Sequence, residues 1–132
     1  RDPVYLTEEV FISQEDIRKL QLAKGAVAAA MGALCETAGV TFQDIRRFYL
    51  AGGFGAHMGI KSAARIGLIP AGLTDKTLPL GNAALSGAAR IMLDQNLVQQ
   101  SARLAESARV VTLSGSPLFS RLFTERMFFE EF

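Results

Sequence analysis

Arg46-Arg47-Phe48-Tyr49-Leu50-Ala51-Gly52-Gly53-Phe54-Gly55-Ala56-His57-Met58-Gly59 is the stretch on which the reading of this chain turns. Phe48, Tyr49 and Leu50 are strand formers. Gly52, Gly53 and Gly55 then remove three β-carbons within four positions, so a short strand runs into a glycine-dense loop. Such a loop can take positive φ and lets a ligand lie directly on main chain. In open α/β sheets, ligands gather at the carboxyl ends of strands, which is where this loop begins. Two readings stay open: a nucleotide or other phosphate-bearing ligand approached by backbone, or a tight turn that needs small residues.

Upstream, residues 1–9 read as a lead-in and Val10-Phe11-Ile12 as a short strand. Ser13 with Asp16 makes a capping-box pattern and opens a helix predicted over 14–38, with Gly39 as its left-handed cap. From Leu22 to Leu34 this helix is apolar nearly all round, which predicts burial on more than one side. Gly25, Ala29 and Gly32 keep one face small for close packing, although each glycine costs about 1 kcal/mol relative to alanine. Lys24, the only charge there, either snorkels to the surface or lines a ligand cleft. Cys35 reads as a small buried thiol.

Thr41 and Asp44 repeat the capping pattern just before the central strand. Beyond the glycines, a helix over 60–66 closes at Gly67, and Pro70 stops its continuation. Residues 71–76 read as loop, and Leu78-Pro79-Leu80 as at best a small edge strand. Asn82 caps a helix over 83–94 with Leu85, Ala88, Ala89, Met92 and Leu93 predicted inward, Gly87 keeping a face small and Asn96 ending it. A second helix follows over 98–107, then a strand over 109–113. Ser116 and Pro117 start the last helix, whose apolar stripe is Leu118, Phe119, Leu122, Phe123 and Met127. The aromatic tail 128–132 is expected to dock on this domain or on a partner. Strands alternating with helices predict an α/β architecture: a mostly parallel sheet flanked by helices.

The 132 residues suit one domain over 1–132, and 49% hydrophobic against 20% charged residues excludes a disordered chain. A net charge of +1 without a basic run gives no invitation to nucleic acid or acidic lipid. No apolar run reaches the ~18 residues that span a bilayer. One cysteine leaves no internal disulfide and no cysteine-based zinc or iron–sulfur site, so a reducing, cytoplasmic setting is the expectation. A start at Arg1-Asp2-Pro3-Val4 points to a C-terminal fragment of a longer protein.

The catalytic inventory is thin. His57, the sole histidine, reads as a capping or structural side chain, or as a contact to phosphate or a redox partner. No paired carboxylates stand beside the glycines, so no catalytic or metal-holding residue is predicted. Gly53-x-Gly55-x-x-x-Gly59 misses the dinucleotide spacing by one residue, and Asp75 follows no strand, which argues against a Rossmann site.

Taken together, five motifs carry a resemblance: 13–24 (Ser-Gln-Glu-Asp-Ile-Arg-x-Leu-Gln-Leu-Ala-Lys), Tyr49-Leu50-Ala51-Gly52-Gly53-Phe54-Gly55, Ile66-Gly67-Leu68-Ile69-Pro70, Gly81-Asn82-Ala83-Ala84-Leu85-x-Gly87-Ala88 and Met127-Phe128-Phe129. From about Val10 onward the chain resembles the C-terminal domain of ATP-dependent reductive activators of corrinoid proteins. These proteins join a ferredoxin-like iron–sulfur domain to an ATPase module similar to acetate and sugar kinases, heat-shock chaperones and actin. The resemblance implies that residues 10–132 form one lobe of an actin-like (ribonuclease H-like) ATPase fold. It implies ATP with Mg as cofactor of the complete protein, an iron–sulfur cluster only in the N-terminal part, and a corrinoid protein as partner. Gly52, Gly53, Phe54 and Gly55 would then meet adenosine, Gly81 and Asn82 would back the same cleft, and Lys24 would reach it from the long helix. The phosphate-binding hairpins of that superfamily have no counterpart here, so the chain would hold half an ATP site and no catalysis of its own. The alternative is an interaction module in which the last helix and aromatic tail form a homodimer or grip a partner.

Overall fold

In a computed structural model, residues 3–132 are described; Arg1 and Asp2 of the expected lead-in lie outside the described residues. Ser13 opens helix α1 (Gln14–Ala38): its hydroxyl accepts from the Asp16 amide, and the Asp16 carboxylate accepts from the Ser13 amide at 2.9 Å. The helix ends where Gly39 turns left-handed at φ 68° and its amide reaches back to Cys35 and Glu36. Both boundaries coincide with the predicted ones because each is set by side chain–backbone bonding within a few residues.

Helix α1 is the axis of the molecule. On one side it packs on helix α6 (Pro117–Arg126), with Ala29, Ala33 and Leu122 buried among Leu113, Leu118, Phe119 and Phe123. On another side Met31 joins a second cluster of Ala63, Ala64 and Ile69 with Phe48, Met58, Ile60 and Leu68. Its small residues permit this closeness: a Cβ at Gly32 would stand 3.2 Å from Leu122 Cδ1, and one at Gly25 would stand 3.3 Å from the Arg126 carbonyl. The expected burial on more than one side therefore holds, but Leu22, Val27 and Leu34 leave a third face exposed.

The sheet is smaller than predicted. Strand β1 (Val4–Tyr5) pairs antiparallel with β2 (Phe11–Ile12), so part of the lead-in is a hairpin arm, closed by Thr7 Oγ1 accepting from the Val10 amide. Strand β3 (Phe48–Ala51) pairs parallel with β4 (Thr77–Gly81). Between them run α2 (Gly53–Ala56), α3 (Ile60–Arg65) and a 3₁₀ turn over Ala71–Lys76, where a loop was expected. Pro79 sits in β4 opposite Leu50, and the ladder slips there so that Ala51 faces Gly81. A bulge is where a residue without an N–H fits a strand.

Three further expectations fail. Residues 109–113 form no strand: they pair with no strand among the described residues, and Val110 stands in solvent. Helix α4 (Ala83–Leu93) stops at Asp94, and Asn96 begins α5 (Asn96–Ser107) instead of ending its predecessor. The inward face of α4 is Ala83, Gly87 and Ile91; Leu85, Met92 and Leu93 are 66%, 85% and 89% exposed. The tail, by contrast, lies on its own chain, with Phe132 accepting from the Ala71 amide at 2.7 Å and its ring edge-on to Phe42.

Two predictions follow from this packing. Leu122→Ala should cost about 2–5 kcal/mol by opening a cavity between α1 and α6, read by denaturant titration. Hydrogen bonds from Ser13 and Thr41 hold the Asp16 and Asp44 carboxyls below their ordinary 3.8. Their contribution should be complete above that value and vanish as pH falls through the lower folded values, and Asp16→Asn together with Asp44→Asn should flatten acid unfolding over that window.

Candidate functional site

The parallel pair β3–β4 ends in two matching corners. Gly52 follows β3 with φ 91°, a conformation that favours glycine, and opens α2. Gly81 closes β4 with φ 61° and leads into Asn82, whose Oδ1 accepts from the Leu85 amide at 3.0 Å and caps α4. The corners are tied together by the Gly52 amide donating to the Gly81 carbonyl at 2.6 Å. Gly52, Gly53, Gly81 and Asn82, distant in sequence, thus meet at the carboxyl ends of adjacent parallel strands.

The glycines of this site lack side chains for different reasons. Gly55 is buried, and a Cβ there would stand 3.2 Å from Leu50 Cβ, so α2 needs it in order to fold back on β3. Gly52 and Gly81 are required by their backbone angles. Gly53 has neither reason: its φ is not positive, and a Cβ would meet nothing within 4 Å. The space above Gly52 and Gly81 is equally empty of protein. Phe54, 80% exposed, stands beside this open main-chain surface. The expected glycine loop is accordingly one turn of helix, because α2 continues from the strand end without an intervening linker.

The structure sets Lys24 elsewhere. It is 1% exposed, and its ammonium donates to the Phe128 carbonyl and lies 5.7 Å from the Phe129 ring centre. Burial, above all, holds its pKa below the ordinary lysine value; Arg126 adds to this and Glu130 opposes it. This lysine lies inside the fold, neither snorkelling nor facing the glycine corners. Nothing in the sequence distinguishes the two cases, since its acceptor is more than a hundred residues away. Cys35 is half-buried, and burial raises its thiol pKa. Among the described residues, no three His, Cys, Asp or Glu side chains gather closely enough to hold a metal ion, and no helix is long and apolar enough to cross a membrane.

Residues 2–132 match the family described as the C-terminal domain of RACo, the ASKHA domain. The chain belongs to that family. A corrinoid activation enzyme, RamQ, of Eubacterium limosum is 32% identical over 88 residues, which cover 67% of this chain and 15% of the relative. A [Co(II) methylated amine-specific corrinoid protein] reductase of Methanosarcina barkeri is 27% identical over 95 residues, 72% of this chain and 17% of the relative. The solved structure of a reductive activator for corrinoid, iron–sulfur protein superposes with a TM-score of 0.83 at 29% identity, over 92% of this chain and 19% of that one. The chain thus spans less than a fifth of the relatives it matches. As a RACo C-terminal domain it has the actin-like, mixed α/β architecture that the resemblance implied, with the parallel pair as its small sheet.

The three reasons for glycine predict different costs. Gly52→Ala should destabilise by about 1–3 kcal/mol because alanine resists its φ of 91°. Gly53→Ala should be neutral or stabilising by up to about 1 kcal/mol, since it adds helix preference without a clash. Thermal melts of the two variants check this.

Proposed function

We propose that this chain supplies the adenosine face of the ATP cleft in a cytoplasmic, ATP-dependent activator that reduces the cobalt of a corrinoid protein. One observation carries the reading: Gly53 has no structural need to be glycine, yet it opens onto free space beside Gly52 and Gly81. A purine nucleoside laid on bare main chain accounts for glycine at position 53, and the bends at Gly52 and Gly81 leave the same space open beside it. In this reading Gly52 and Gly53 receive the nucleoside, Phe54 offers it an apolar edge, and Gly81 and Asn82 wall the other side. Gly55 serves the same site at one remove, by seating the helical turn on Leu50.

The family and its named relatives support a corrinoid protein as the partner. Bound ATP would supply, through its hydrolysis, the free energy that sends electrons uphill to cobalt. This chain's residues fit only the nucleoside part of that task. Among the described residues no carboxylate cluster offers itself to magnesium, and the sequence has a single cysteine, Cys35, against the several that an iron–sulfur cluster requires. Both groups are therefore assigned to other parts of the longer protein, and this chain alone neither hydrolyses ATP nor carries electrons. Closure of the two lobes on ATP would change the surface offered to the corrinoid protein, coupling nucleotide to partner.

The test is ATP binding by the protein that carries this chain, with Gly53→Val. A Cβ at this position meets nothing within 4 Å, so the melting temperature should hold while ATP affinity falls by roughly tenfold or more, as expected when a side chain fills a ligand's contact surface. Unchanged affinity in a folded variant would exclude the site.

A further inference from the structure

Lys24 is the one charged side chain buried among the described residues, and nothing in the nucleotide reading uses it. A buried ammonium is costly, and a methionine of similar length would fill the same space without that cost. What lysine adds is direction: its Nζ fixes the Phe128 carbonyl and faces the Phe129 ring. The main chain crosses Gly67 at this point. A Cβ on Gly67 would overlap the Glu130 carbonyl and stand 3.1 Å from Lys24 Nζ. The segment is anchored again at its far end. Phe132 accepts from the Ala71 amide at 2.7 Å, its ring meets Phe42 at 5.7 Å, and the Arg126 guanidinium lies 4.0 Å over that ring.

Ala71 is the first residue of the 3₁₀ turn that delivers β4. Thr77, the first residue of β4, donates from its hydroxyl to the Leu73 carbonyl at 2.6 Å, and Leu73 is fully buried. Four residues on, Gly81 accepts from Gly52. A continuous route of covalent and hydrogen bonds therefore joins the tail to the two glycine corners.

We propose that residues 127–132 form a strap, buckled by Lys24, that positions β4 and thereby holds Gly81 and Asn82 against Gly52. Lys24 is a positioning residue. It acts on the corners through the strap and touches no ligand. The structural part of this assignment stands by itself; its consequence for ATP rests on the nucleotide reading above.

The experiment uses the protein that carries this chain and three variants. Lys24→Met removes the buckle, Phe132→Ala removes the ring contacts of the far anchor with Phe42 and Arg126, and Leu122→Ala destabilises the α1–α6 core without removing a strap contact. Amide hydrogen exchange is followed at Ala71 and Gly52, and ATP affinity is measured alongside. Lys24→Met should raise exchange at both amides by roughly tenfold, more than Leu122→Ala does. It should weaken ATP binding by about three- to tenfold, whereas Leu122→Ala leaves affinity unchanged. Phe132→Ala should act in the same direction, and the double variant should add little to either single one, because both cut the same connection. If Lys24→Met does not fold, Phe132→Ala carries the test. Ala71 and Gly52 amides that stay protected in the folded variants would overturn the strap, and loosened amides with unchanged ATP affinity would overturn its positioning role. If the wild-type protein binds no ATP, the nucleotide reading fails by itself, and the exchange measurements still decide the strap.

Discussion

The approach of α1 to its neighbours is the constraint from which the rest of the chain takes its place. The helix spends glycine at two interior positions, 25 and 32, where alanine would make a better helix. At both, a methyl would crowd atoms of α6 or of the residue after it. The loss in helix preference is offset by dispersion contacts that only close packing allows. Because α1 lies so close to α6, the chain leaving α6 emerges directly over Lys24 and Gly67. The second core cluster, through Met31 and Phe48, then sets β3 relative to the same helix.

Local chemistry was legible in the sequence, and distant pairing was not. Ser13 with Asp16, Gly39, Gly67, Asn82 and Ser116 with Pro117 each fix a helix end through bonds spanning three or four residues, so each could be read in isolation. The strand over 109–113 could not be judged that way, since Val110-Val111 has strand preference but a strand exists only where a neighbour accepts it. The β1–β2 hairpin was hidden because a polar stretch containing Pro3 reads as a lead-in, while its closure rests on the Leu6 and Thr7 amides donating to the Val10 carbonyl and on the Thr7 hydroxyl. The apolar side of α4 misled for a related reason. Leu85, Met92 and Leu93 are the residues that an amphipathic reading turns inward, yet no described element covers them. Of the candidate site, the glycine stretch after β3 was visible at once. Its adjacency to Gly81 followed from resemblance alone, because parallel register has no local signature. The burial of Lys24 was beyond reach for the same reason.

Stability is unevenly distributed over this architecture. The helical layer of α1 and α6 holds one apolar cluster, and α3 with Leu68 and Ile69, packed against Met31 and Phe48, holds the other. The two-stranded parallel sheet has half-exposed residues on its faces, and α4 and α5 contain no buried residue. A sheet of two strands contributes little by itself. The candidate site is therefore carried by the less stable part of the chain, and the rigidity of its corners has to come from outside the sheet.

A surface made of main chain sharpens that requirement. Where side chains line a site, a small shift of the backbone can be absorbed by rotamers. Where peptide groups themselves form the contact, any displacement of the strand ends changes the ligand's surroundings directly, and even about 1 Å matters. Gly52 and Gly81 aggravate this, since glycine gives the chain its widest freedom just where the shape has to be kept. Their mutual hydrogen bond restrains the corners against each other but not against the rest of the fold. That second restraint can reach Gly81 through β4 and the 3₁₀ turn, and the turn is held at Ala71 by the carbonyl of Phe132. In the proposed reading, the freedom that would open a surface for a ligand has to be matched by a fixed point nearby, and the buried lysine under the tail is where this chain would provide one.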